Sequence, residues 1–109
     1  MTSLDDAELV DALDAHQRLT NVHQAQQLAL IGELDARRAT ERRDCRNGLD
    51  ICARRQTVTE VAAAISEGEC HTEHLLRVAR LLRDRLHRTA DLLALGRISR
   101  AQAIAVADC

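Results

Sequence analysis

Proline, phenylalanine, tyrosine and tryptophan are all missing from these 109 residues. Lysine is missing too, and arginine supplies all fifteen basic side chains. Each absence excludes something. Without proline, nothing in the chain forces a helix to break internally. Without aromatic rings there is no platform for stacking unpaired bases, which argues against single-strand or RNA binding. A core must then come from Leu, Ile, Val and Ala, at about 1.5–3 kcal/mol for each large side chain fully buried. The missing lysine excludes a Schiff-base nucleophile and a phosphate-loop lysine, and four glycines make no glycine-rich loop. No apolar run approaches the ~18 residues a membrane span requires. The acidic opening Met1-Thr2-Ser3-Leu4-Asp5-Asp6 is no secretory leader, so a cytoplasmic location is expected.

What remains is rich in Ala, Leu, Arg, Asp and Glu, mostly good helix formers, and poor in the β-branched and aromatic residues of sheets. The expected fold is all-α: a long N-terminal helix plus a small helical bundle containing a helix-turn-helix-like pair. The arginine-for-lysine and Ala/Leu bias also fits a high-GC coding sequence of actinobacterial type.

Three regions are expected along the chain. Residues 1–38 read as one long helix, from Leu4 to about Arg38, with Ser3 and Asp6 placed as a capping box. Its ends are amphipathic, and Leu9, Val10 and Leu13 recur 21 residues later as Leu30, Ile31 and Leu34. Gln17, Thr20, Gln24 and Gln27 interrupt the stripe, so a zipper is not expected, but packing in a bundle or a homodimer through this helix is. Residues 39–56 are charged, contain Asn47-Gly48 and lack a period, which reads as a charged loop or linker. Residues 57–109 form short helices. Thr57-x-x-Glu60 opens one, Ser66-Glu67-Gly68 ends it, and Leu75, Val78, Ala79, Leu82 and Leu86 mark the next. Gly96 stops a third spanning about Arg88–Leu95, and Ser99-x-x-Gln102 opens the last.

Charge is uneven although the net value is only −2. Residues 1–36 hold seven acids against Arg18, and residues 37–55 hold seven arginines against three acids. A uniform DNA-binding polycation is thereby excluded, but a local basic patch is not. Arg42, Arg43 and Arg46 in that patch, with Arg77 and Arg80 beyond the helix-turn-helix-like break, are the candidate phosphate contacts. Glu69 and Glu73 oppose such a role, because the would-be recognition helix Glu69–Arg77 would bring them to the phosphates. The bland reading of the 37–55 arginines is a solvated segment that balances the acidic first helix. Cys45, Cys52, Cys70 and His74 (beside His71) offer metal-binding atoms, but their spacing matches no compact zinc motif. The cysteines read as thiols, and no metal or other cofactor is expected. His16 and His23 lie on one helix face without a catalytic pattern, so an enzyme is not expected. The candidate partners are duplex DNA and a second copy of the chain.

One resemblance rests on particular residues. Glu60-Val61-Ala62-Ala63-Ala64-Ile65, Leu75-Leu76-Arg77-Val78-Ala79-Arg80, and Thr89 to Ala103 with Gly96-Arg97-Ile98-Ser99 at their centre are similar to the domain of unknown function 222 of the mycobacterial 13E12 repeat family. The run Leu28 to Asp35 also resembles that family's first helix. The resemblance implies an actinobacterial, mobile-element-linked domain that normally precedes an HNH endonuclease module. The metal-binding histidines and the strand pair of such a module are not found here. On this resemblance the chain is expected to be a truncated, non-catalytic member, either associating with DNA or acting as a helical interaction piece.

Overall fold

The computed structural model describes the backbone of residues 3–44 and 50–109, and the side chains of 3–41 and 54–109. Among them lie five helices and no strand: α1 (Asp6–Asp44), α2 (Asp50–Ile65), α3 (Glu69–Asp84), α4 (His87–Ala94) and α5 (Arg100–Ala107). The long first helix and the small bundle expected from the composition are both present.

α1 begins two residues later than expected. The Asp5 carboxylate, not Ser3, accepts the Glu8 backbone N–H at 2.8 Å and so satisfies one of the free amides of the first turn. At its far end α1 runs through Asp44, and α2 already begins at Asp50. The charged segment expected as a loop over 39–56 is therefore helical at both ends, and Asn47-Gly48 lies outside the described residues. Charged Ala-, Arg- and Glu-containing sequence has good helix propensity but no apolar period, so pattern alone does not separate it from a loop. An ion pair from Arg38 to Glu60, at 3.0 Å, ties this part of α1 to α2. Thr57 consequently sits inside α2, buried, and not at the start of a helix.

The breaks are built from standard helix ends. α2 closes with Glu67 N–H bonded to Ala62 O and Ser66 N–H to Ala63 O, with Ser66 at φ 58. That left-handed geometry is normally left to glycine. α4 ends the same way at Gly96 (φ 74), where Arg97 N–H reaches Leu92 O and Gly96 N–H reaches Leu93 O. Here glycine is required twice over. A Cβ would also lie 3.1 Å from both Arg18 O and a methyl of Val22. Ser99 and Gln102 form the full reciprocal capping box at the start of α5.

α3 is the hub, packing mainly on α1 and also on α2, α4 and α5. Leu75, Val78 and Leu82 on α3, Leu28 and Ile31 on α1, Val61 on α2, Leu93 on α4 and Ala103 on α5 form one core. This core begins only about halfway along α1. The radius of gyration is 17.1 Å, against roughly 13 Å for a compact domain of this length, and the molecule measures 62 × 28 × 21 Å. The excess length is the first half of α1, which projects beyond the bundle.

Candidate functional site

The stripe along α1 explains both the projection and the polar break seen in the sequence. Residues 10, 13, 17, 21, 24, 28, 31 and 35 recur at three- and four-residue steps and so share one helix face. From Asn21 onward that face is covered. Asn21 is buried and donates to Gly96 O at 3.2 Å, while accepting from the Gln17 side-chain amide at 2.7 Å. Gln24 Oε1 accepts the Arg100 backbone N–H at 3.4 Å, and Gln27 Oε1 accepts from its guanidinium at 3.2 Å. The glutamines therefore receive the N-terminus of α5, a role with no signature in the sequence. Ahead of Asn21 the same face lies bare. Val10 and Leu13 are 62% and 68% exposed, and Leu9 is exposed beside them.

The residues expected to touch nucleic acid have different surroundings. Arg80 forms a two-pronged pair with Asp35, at 3.0 and 3.1 Å, and this pairing raises its already high pKa. Arg77 pairs with Asp108, which His74 Nε2 also meets at 3.0 Å. Arg83 donates to Glu33 at 2.9 Å and to Gly32 O at 3.3 Å. Glu33 is held below its ordinary carboxylate range by hydrogen bonds from Arg37 and Arg83. Arg42, Arg43 and Arg46, as well as Cys45 and Cys52, lie outside the residues whose side chains are described. Cys70 is an exposed free thiol, and His74 is engaged by Asp108. Among the described residues no three His, Cys, Asp or Glu side chains gather as a metal site. No helix there is long and apolar enough to cross a membrane.

Asp35, Arg54, Cys70, Glu73, His74, Arg77 and Arg80 nevertheless line one cleft of about 510 Å³ between α1, α2 and α3. Within it Arg80 is matched by Asp35, while Arg77 and His74 are held by Asp108. The helix pair α2–α3 keeps the spacing of a helix-turn-helix, but α3 spends its best face on the core, with Leu75 and Val78 wholly buried. Its N-terminal half, the part that would enter a groove, turns Glu69, Cys70 and Glu73 outward. Carboxylates in that position repel phosphates.

Among the described residues these features define an all-α bundle in which Arg77, Arg80 and Arg83 of α3 are paired with carboxylates and the start of α1 bares an apolar face. No known protein family, curated protein or solved structure matches the chain.

Proposed function

We propose that this chain is a non-catalytic helical interaction module whose contact surface is the projecting first half of α1. The observation that carries this reading is the exposure of Leu9, Val10 and Leu13 on the face that α1 buries elsewhere. The turns of α1 ahead of its contact with Gly96 at Arg18 are too short to be more than a marginal helix in water, so they gain stability when a partner covers them. On this reading the protein acts in the cytoplasm. It would be the helical part of the HNH-associated repeat family that its sequence resembles.

The competing reading, contact with duplex DNA, is favoured by the α2–α3 turn and by Arg54 and Arg55, which are exposed on α2. Against it stand the carboxylates already bound to Arg77, Arg80 and Arg83. An anion arriving from DNA must displace them. Titration with duplex DNA across ionic strength separates the two. The interaction reading expects no binding even at low salt. Tight binding with a steep negative salt slope, lessened by Arg54→Ala with Arg55→Ala, would replace it with the DNA reading.

A further inference from the structure

We infer that the partner covering the first half of α1 is a second copy of this chain, its α1 antiparallel to the first. Each projecting half-helix then lies across the other and abuts the end of the other's bundle. The pairing rests on the interaction reading above and specifies its partner.

Three observations lead to it. The first is steric. The apolar face of the projection is the same face that meets the bundle from Asn21 onward, so the bundle bounds the open space beneath it at one end. Residues 6–20 span about 22 Å. A second projection fits there only antiparallel, because any other direction drives one bundle into the other. The length also sets the register. With the two-fold axis beside Leu13, Leu13 meets its own counterpart, Leu9 lies level with Gln17, Val10 with His16, and Asp6 with Thr20. Closer overlap forces the start of α1 into the partner's bundle, and wider separation uncovers Leu9.

The second is charge. Residues 1–20 carry five acids against Arg18, so two projections side by side would repel if those acids faced each other. Glu8 and Asp11 lie on the opposite side of the helix from Leu9 and Leu13, and Asp14 is neutralised by Arg18 at 3.3 Å. Asp6 stays near the seam. In this register Asp5 and Asp6 reach the level of residues 20 and 21 on the other copy, where the α4–α5 corner is docked by the Asn21–Gly96 bond. That corner carries Arg97, which meets no carboxylate among the described residues. The acidic start of each α1 therefore arrives at an uncompensated cation, twice per dimer by symmetry.

The third is apolar matching at the same corner. Leu95 is 68% exposed there, and Leu4, one turn ahead of α1, is exposed as well. In this register Leu4 comes level with residue 22 and meets Leu95. The apolar contact thus runs unbroken from the two-fold axis to the corner.

Sedimentation equilibrium of the full chain tests the pairing. The expected mass is twice the 12.1 kDa of one chain, falling to the single mass on dilution. Leu13→Asp places two carboxylates at the axis and is expected to weaken the dimer by at least roughly a hundredfold. Leu13 touches none of the core, so the melting of the bundle should be retained. Register is tested by charge exchange. Asp6→Arg and Arg97→Glu should each weaken self-association, and an equal mixture should restore a mixed dimer. A monomer at all concentrations, an unchanged dimer in Leu13→Asp, or no recovery on mixing overturns the pairing. A monomer that also ignores duplex DNA leaves the interaction reading standing, whereas DNA binding removes both.

Discussion

The two halves of α1 share one sequence pattern and differ in almost everything else. From Asn21 to Asp44 the helix presents Leu28, Ile31 and Asp35 to α3 and α4, and these are buried. From Asp6 to Thr20 the same face presents Val10, Leu13 and Gln17 to solvent. Helical amphipathicity states which side of a helix will be covered. Whether anything covers it depends on how far the rest of the chain reaches. Here α3, α4 and α5, of sixteen, eight and eight residues, reach only the second half.

The largest expected effect contrasts a leucine under the second half with one on the first. Leu75 is wholly buried against α1, so Leu75→Ala should cost roughly 3–5 kcal/mol of unfolding free energy in urea titration. Leu13→Ala, measured on the dilute monomer, should change it by no more than about 0.5 kcal/mol. Equal losses would mean that the first half is packed after all. Next comes the boundary between the halves, where Gly96 docks on Arg18 and Val22. Gly96→Ala combines a left-handed backbone with a 3.1 Å approach to the Arg18 carbonyl and should cost about 2–3 kcal/mol. Thermal melts with a wild-type midpoint would show that this corner is not seated on α1.

A smaller effect is expected at Asp35, the buried carboxylate of the covered half. Its partner Arg80 is half exposed and can turn to water when the pair is broken. Asp35→Ala should therefore cost about 1 kcal/mol, near the range of exposed pairs and well short of a fully buried one. A loss of several kcal/mol would show that Arg80 has no route to solvent. The smallest effect is the acid response of Glu33, also on the covered half. Its folded-state pKa is lowered from 4.5, so its contribution is present above that value and is lost as pH falls through the lower folded value. Glu33→Gln should lower stability slightly at neutrality and flatten the stability–pH curve below pH 4.5. An equal slope in both proteins would remove the Arg37 and Arg83 contacts from the account.

Much of the fold was legible locally. The α3 stripe at Leu75, Val78, Ala79 and Leu82, the stop at Gly96 and the Ser99–Gln102 cap each depend on residues within one or two turns, and each is present. Legibility failed where a partner is distant. Gln24 and Gln27 look like defects in an apolar stripe until α5 arrives from 73 to 76 residues away. Arg80 reads as a free cation until Asp35, 45 residues earlier, is placed beside it. The 39–56 segment misled for another reason, since a charged helix lacks the periodic apolar signal that distinguishes helix from loop.

By itself the sequence determined that the chain is helical, where most of the helices stop, and which side of each is apolar. Propensity, caps and a 3.6-residue period are properties of near neighbours. Only the tertiary structure decided that half of α1 stays bare and that the arginines of α3 are matched by carboxylates of α1 and the end of α5. Those outcomes depend on distances between elements far apart in the chain, and no local pattern encodes them.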